Sequence, residues 1–436
     1  MMSNTKNIKI QFFLLLIIIF SNFFFGWSFQ NLTIGFIPVI HIFLLLLLIN
    51  SKFNENLKIL NELGLFGIFL IYLIYNFIKL LFSYNDFGII ALRDATFVID
   101  SIFILISLSF FSYNEEIIFK ILKICFFYCF FFIFFWFIKD SIIFLSPTIV
   151  SPVGTTTNLF FNFSTVNITC GFFAFYSYLF LNTNNKKFFY FIIFLIFSLI
   201  LLPKRMIYIW YISCFLYLYL IDKKNVNLLL KIFSVFLLFY ILDFFGIFSN
   251  IKIYEIDFFE FFKSHLLSTI PGYNLNNTNE FFIGTQSTVT WRIEAWSNTI
   301  SNLMETYKTF LFGLPFGVPL TNHYLADGIL IREPHNLYIT TFARSGLIGS
   351  ILFLILHYKI LKILYLTFKK TLDIQSIQLY KLMILFTIYV LFVFTGGGIS
   401  SSVLSVTYHS TQFYLFAGIW ISIYFKLLKN ENLSNS

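Results

Sequence analysis

Apolar stretches about as long as a bilayer is thick follow one another along this chain and leave room for little else. A helical crossing needs about 20 apolar residues, with a range of about 17–25. Twelve candidates lie near 10–26, 32–49, 63–82, 94–112, 117–138, 165–182, 188–203, 206–221, 226–248, 336–357, 379–396 and 411–428. The composition agrees. Of 436 residues 59% are hydrophobic and only 11% charged, where soluble domains carry about 25% charged residues. The expected fold is an all-α polytopic membrane protein, one integral membrane domain over 1–436 with about twelve transmembrane helices. The first stretch has no small-x-small cleavage site and is followed by "FGWSFQ", so it reads as a span and not as a signal peptide. The four cysteines (Cys125, Cys129, Cys170, Cys214) all fall inside apolar runs and read as buried small hydrophobes.

Lysines orient the chain. Lys6 and Lys9 precede the first span, Lys52 and Lys58 lie between the second and third, and Lys120 and Lys123 open the fifth. Lys186, Lys187, Lys223 and Lys224 fill two short turns; Lys359, Lys362, Lys369 and Lys370 lie between spans ten and eleven; Lys426 and Lys429 close the twelfth. All fall on one side, which the positive-inside rule makes cytoplasmic. Both termini are then inside, and residues 249–335 between spans nine and ten form a large outer loop, periplasmic in a bacterial inner membrane. The net charge of +9 sits mostly on these inner turns, so membrane lipids are the expected partner and nucleic acid is not. Within the outer loop "FFEFFKSHLL" (258–267) reads as a short interfacial helix, and "IPGYNLNNTNE" (270–280) as a turn-rich polar stretch.

Outward-facing basic residues break the rule. Lys204 and Arg205, in "LLPKRMIYIW", sit at an outer turn with almost no loop to solvate them; the plain reading is two snorkelling side chains. Arg292 lies beside Trp291, with Trp296 a helical turn on, and read plainly is an aromatic-basic anchor. In "IREPHNLYITTFARSGLIGS" (331–350), Pro334 suits a helix first turn, so span ten is expected to start near Glu333–His335 and to offer its free N–H groups to an anion. Gly346 and Gly349, three apart, are expected on one helical face where a neighbouring helix approaches. Arg344 is costly facing lipid and is expected to face the bundle or a polar cavity.

His335, Asn336, Gly346 and Gly349 together make the pattern His-Asn, nine residues, Gly-x-x-Gly. It resembles the signature of the O-antigen ligase and O-antigen polymerase superfamily, whose members typically have about twelve spans and a large outer loop before the motif. "RIEAW" and "FLFGLPFG" (Arg292, Trp296, Gly313, Gly317) are similar to the family's Arg-x-x-x-Trp segment and glycine turn. Arg205 falls where the family has an arginine, though Lys204 and Met206 replace the usual Ser-Arg-Gly setting, and Phe310 stands near where the proline before the glycine turn is expected. The likeness covers about 190–350, the region resembling the ligase-related domain; the first half matches by topology alone.

The resemblance implies a glycan transferase on the outer side of the inner membrane, taking sugar from an undecaprenyl diphosphate-linked donor. A ligase passes it to lipid A-core; a polymerase passes it to another lipid-linked repeat, with a chain-length regulator as a further partner. Arg205, Arg292, Lys204 and Arg332 would bind the diphosphate, whose charge suits forked guanidinium groups. His335 would serve as base or orient the acceptor hydroxyl, with Asn336 beside it. No Asp-x-Asp pair stands at the outer surface, so neither metal nor other cofactor is expected. Glu294, Glu305, Asp327 and Glu333 are the alternative bases. A competing class is a multispanning transporter, for which Asp100 in span four, with Arg93 and Asp94 at its outer end, is the best evidence. A structural pairing explains those three equally well.

Overall fold

The structure, a computed structural model, describes residues 32–34, 37–49, 51–111, 115–142, 144, 146–150, 156–158, 166–181, 183–198, 205–223, 252–253, 256–257, 280–324, 330–400, 404 and 407–434. In chain order the helices are α1 (Val39–Ile49), α2 (Phe53–Glu62), α3 (Phe66–Phe87), α4 (Ile89–Asp94), α5 (Thr96–Asp100), α6 (Ile104–Phe111), α7 (Glu115–Ile142), α8 (Val166–Phe180), α9 (Asn184–Ile196), α10 (Arg205–Ile221), α11 (Glu280–Met304), α12 (Tyr307–Phe312), α13 (Leu337–Asp373), α14 (Ile377–Phe394), α15 (Gly396–Ser400) and α16 (Thr407–Ser434). The described strands are short antiparallel pairs; His323–Tyr324 against Leu330–Ile331 lies just before α13.

Four helical stretches among the described residues are long and apolar enough to cross a membrane: Phe66–Phe87, Leu337–Asp373, Ile377–Ile399 and His409–Asn430. Of the shorter apolar helices, Thr96–Leu108 packs on the last of these, and Val39–Ile49 packs against Ile104–Phe111. The protein is a helical, membrane-embedded one. Helices occupy all or part of the other predicted stretches; the first (10–26) and ninth (226–248) lie outside the described residues with the expected interfacial helix at 258–267, and in the second (32–49) only Val39–Ile49 is helical, after a strand pair at Thr33–Ile34 and Ile37–Pro38.

Two more predicted spans differ in detail. The fourth is broken: α4 ends at Ala95, and α5 passes through a 3-10 turn at Ser101–Phe103 before α6. The tenth starts later than Glu333–His335. Asn336 is its N-cap, in extended conformation, and its side-chain oxygen accepts from Tyr338 N (3.0 Å) and Ile339 N (3.1 Å). Asparagine is among the best N-caps because it supplies this acceptor, and here it outweighs the preference of Pro334 for a first turn.

Several polar groups inside the bundle are paired, which an apolar surround favours. His41 of α1 stands with Nε2 2.9 Å from Asp100 Oδ1, and Ser410 of α16 donates to Asp100 Oδ2. Trp210 of α10 donates to the Ile388 carbonyl at 2.8 Å, and Tyr414 meets His357 Nε2 at 3.2 Å. Asp100 is fully buried with both oxygens committed to side chains of other helices. Lys359 donates to the Gly64 carbonyl at 2.8 Å, which brings two lysine-bearing regions to one end of the bundle. All four cysteines are free and buried, as their apolar settings predict.

Candidate functional site

Two segments about forty residues apart in sequence meet at the end of the bundle away from Lys359. α11 carries the first. Its Trp296 indole donates to the Pro334 carbonyl at 2.6 Å, and its Trp291 ring meets the His335 ring edge to face, with centroids 5.6 Å apart. Arg292 places its guanidinium 5.8 Å from the Trp291 ring centre, and its Nε is buried with no hydrogen-bond partner. Thr299, one turn further, donates to the Leu320 carbonyl at 2.7 Å and fixes the chain after the glycine turn. The 292–296 and 332–336 segments singled out from the sequence are therefore brought together.

His335 adopts a left-handed backbone, φ 50°. That conformation is uncommon outside glycine, with histidine among the tolerant residues, and it sits between the short strand and the cap at Asn336. Burial, and then the charge of Arg292, push the imidazole down to about 4 from its ordinary 6.5. The ring is thus neutral at neutral pH, a hydrogen-bond acceptor and a weaker base than free imidazole. Burial also lowers Arg292 from the ordinary arginine value, although arginine stays charged in proteins.

The expected anion site at the start of span ten is changed by the cap: Asn336 itself takes two first-turn N–H groups. Its Nδ2 donates to the Ile399 carbonyl at 3.0 Å. Asn336 is thus engaged on both sides of its amide and joins α13 to α15, a structural task beside the role expected for it. α15 also packs on α10, the helix that Arg205 begins, so the Arg205 helix shares this part of the bundle. Lys204 lies outside the described residues, as does Asp327. Glu294 and Glu305 are exposed.

A second constellation surrounds the glycine turn; its centre, Asp94, stood out in the sequence beside Arg93, but its pairing with Arg332 and Arg344 did not. Asp94 Oδ2 accepts from Arg344 Nη2 at 2.8 Å, Arg332 Nη2 at 3.2 Å and Gly317 N at 3.1 Å. Arg93 Nη2 stands 3.3 Å from Oδ1, close enough for an ion pair but not aligned as a hydrogen bond. Arg344 is 1% exposed and also donates to the Val318 carbonyl (2.7 Å) and the Pro315 carbonyl (3.1 Å). It faces the bundle as expected. Arg332, expected at the diphosphate, is instead tied to Asp94 and to the Gly317 carbonyl.

Gly346 corrects another expectation. It is not on a helical face: its φ of 62° and ψ of −169° break α13 at that point, a combination essentially reserved for glycine. What approaches it is a turn and not a helix. Gly313 ends α12 at φ 78°, Leu314 N donates to the Ala343 carbonyl at 2.7 Å, and a Cβ on Gly313 would stand 2.6 Å from Gly346 N. Tyr75 donates to the Ser345 carbonyl at 2.6 Å, and Lys79 donates to the Phe312 and Arg344 carbonyls that the break leaves over. Gly349 keeps its expected role, for a Cβ there would lie 2.6 Å from the Tyr75 ring on α3.

A scan against family models finds no match to the chain, and a comparison with curated proteins finds no relative.

Proposed function

We propose that the protein is a membrane glycan transferase of the O-antigen ligase type, moving a glycan from a lipid-linked diphosphate to an acceptor such as lipid A-core on the outer face of the bacterial inner membrane. The observation that carries this reading is the meeting of Arg292 and His335, from segments far apart in sequence, on a shared tryptophan scaffold. Arg292 has a buried Nε without a partner, and such a donor is suited to an anionic oxygen. On this reading it holds the diphosphate and offsets the negative charge that grows on it as the glycosidic bond breaks. His335, neutral beside it, accepts the acceptor's hydroxyl proton as that oxygen attacks the sugar carbon. Arg205, which begins α10, and Lys204 before it in the sequence are proposed as further diphosphate contacts. Joining lipid-linked repeats, the polymerase reaction, uses the same chemistry and differs in acceptor.

The test is glycan analysis of cells lacking the protein. Accumulated lipid-linked glycan with no attached polymer identifies a ligase, and a single attached repeat identifies a polymerase. Unchanged surface and lipid-linked glycans would refute the reading.

A further inference from the structure

Two arginines of one segment end on the same oxygen. Arg332 Nη2 lies 3.2 Å from Asp94 Oδ2, and Arg344 Nη2 lies 2.8 Å from it. Asp94 closes α4, an element remote in sequence from both. Between the two arginines lie His335, the cap at Asn336 and the first turns of α13. The break at Gly346 makes 337–345 a separate piece of helix. One carboxylate therefore fastens both ends of the unit 332–344 that carries the imidazole.

The end nearer His335 is fastened more than once. The same Arg332 nitrogen donates to the Gly317 carbonyl, and the Arg332 carbonyl accepts from Leu320 N at 2.8 Å. Two residues on, the Pro334 carbonyl accepts from the Trp296 indole. The backbone then turns left-handed at His335, φ 50°. A residue with a Cβ persists there only where the structure on both sides fixes the chain. On the far side Asn336 does so by capping α13. On the near side Arg332 supplies a charged anchor on a different helix. The placement matters because the His335 ring stands edge to face on Trp291, whose other neighbour is the Arg292 guanidinium. A turn set differently would carry the ring away from both. Arg93 shares the carboxylate but precedes it in the chain, 3.3 Å from Oδ1, so removing it frees no part of 332–344.

We infer that Arg332 is a positioning residue: pinned on Asp94 of α4, it holds His335 against Trp291. The hold on His335 is a matter of structure, and its effect on turnover rests on the transferase reading.

The test is carbethoxylation by diethyl pyrocarbonate at pH 7 on the full-length protein in mild detergent, read histidine by histidine by peptide mass spectrometry. Arg332→Gln should speed modification of His335 at least about tenfold, the shift that one lost charge-assisted hydrogen bond permits. His41, His357 and His409, buried elsewhere in the bundle, should keep their native rates. Asp94→Asn should expose His335 likewise, and Arg93→Gln should leave it as protected as in the unaltered protein. An unchanged rate at His335 in Arg332→Gln overturns the assignment. So does a rise at all four histidines together in that variant, which means general loosening. Should Arg332→Gln not accumulate, Arg332→Lys, which keeps the cation on a shorter side chain, must raise the His335 rate; a native rate there overturns the assignment as well. In transfer assays Arg332→Gln should lower kcat about a hundredfold, the scale of a misplacement of about 1 Å, with KM for the lipid-linked donor little changed. Undiminished kcat with His335 still protected overturns the positioning and leaves the transferase reading intact. Exposure of His335 in a protein whose native form transfers no glycan supports the positioning and counts against the transferase reading.

Discussion

Replacing Asp94 by asparagine keeps the shape of the side chain and removes its charge. At 2.8 Å, with an effective dielectric constant of about 20, Arg344 attracts the carboxylate by about 6 kcal/mol. In the native protein, desolvation of both groups offsets much of this. In the variant, Arg344 stays 1% exposed and desolvated but loses its counter-charge. The net cost therefore falls in the range of about 3–5 kcal/mol found when one partner of a buried pair is removed. Denaturant titration in mixed micelles measures it. A double variant, Asp94→Asn with Arg344→Gln, should be less harmful than the sum of the single ones, by about 2 kcal/mol, because the most deeply buried cation is removed together with its counter-charge. Asp94→Asn costing less than about 1 kcal/mol, or strict additivity in the cycle, would refute the claim that Asp94 is the electrostatic centre of this region.

Gly346→Ala should cost more than about 3 kcal/mol, since the new Cβ meets the backbone of Leu311 and Gly313 at a φ of 62°; normal amounts of folded protein would contradict the broken helix. His335→Ala should lower glycan transfer by roughly 10²–10⁴ without loss of protein; loss of protein in step with activity would make the histidine structural. Because His335 titrates near 4 when folded and near 6.5 when unfolded, the unfolded chain alone takes up its proton between those values. Stability from this group is complete above pH 6.5 and falls by up to about 3 kcal/mol as pH drops to about 4; melting curves of His335→Gln should lack that slope. Arg292→Lys should transfer glycan measurably more slowly because the forked geometry is lost, and full transfer would remove Arg292 from the site. Transfer by the purified protein should persist in EDTA; abolition reversed by Mg²⁺ would overturn the metal-independent reading.

The apolar stretches were legible because a crossing has a fixed length and an unmistakable composition. Arg344 was legible for the opposite reason: a charge in an apolar run has to face inward. Its partner was not, because Asp94 lies 250 residues away and nothing local distinguishes it from an exposed span end. Gly346 shows the limit of a spacing pattern. Gly-x-x-Gly fits both a packed helical face and a broken helix, and only the backbone angles tell them apart. The start of α13 was misread by two competing local signals, Pro334 and Asn336; the cap won because its side chain satisfies two N–H groups at once. The gathering of Arg292 and His335 on the Trp291 ring needed tertiary structure, although each residue stood out in the sequence.

The Asp94 cluster also has a history in time. Its carboxylate is synthesised 238 residues before Arg332 and 250 before Arg344. At about 5–20 residues per second, the interval is roughly 12–50 s. Throughout that interval one cation of the final cluster already stands beside it, its own neighbour Arg93. The adjacent pair gives the nascent chain a counter-ion at the membrane border, and the mature arrangement adds two distant partners to the local one. Arg344 reaches Asp94 beside the turn at Gly313–Gly317, whose Pro315 carbonyl it also holds and whose Gly317 N–H is donated to Asp94.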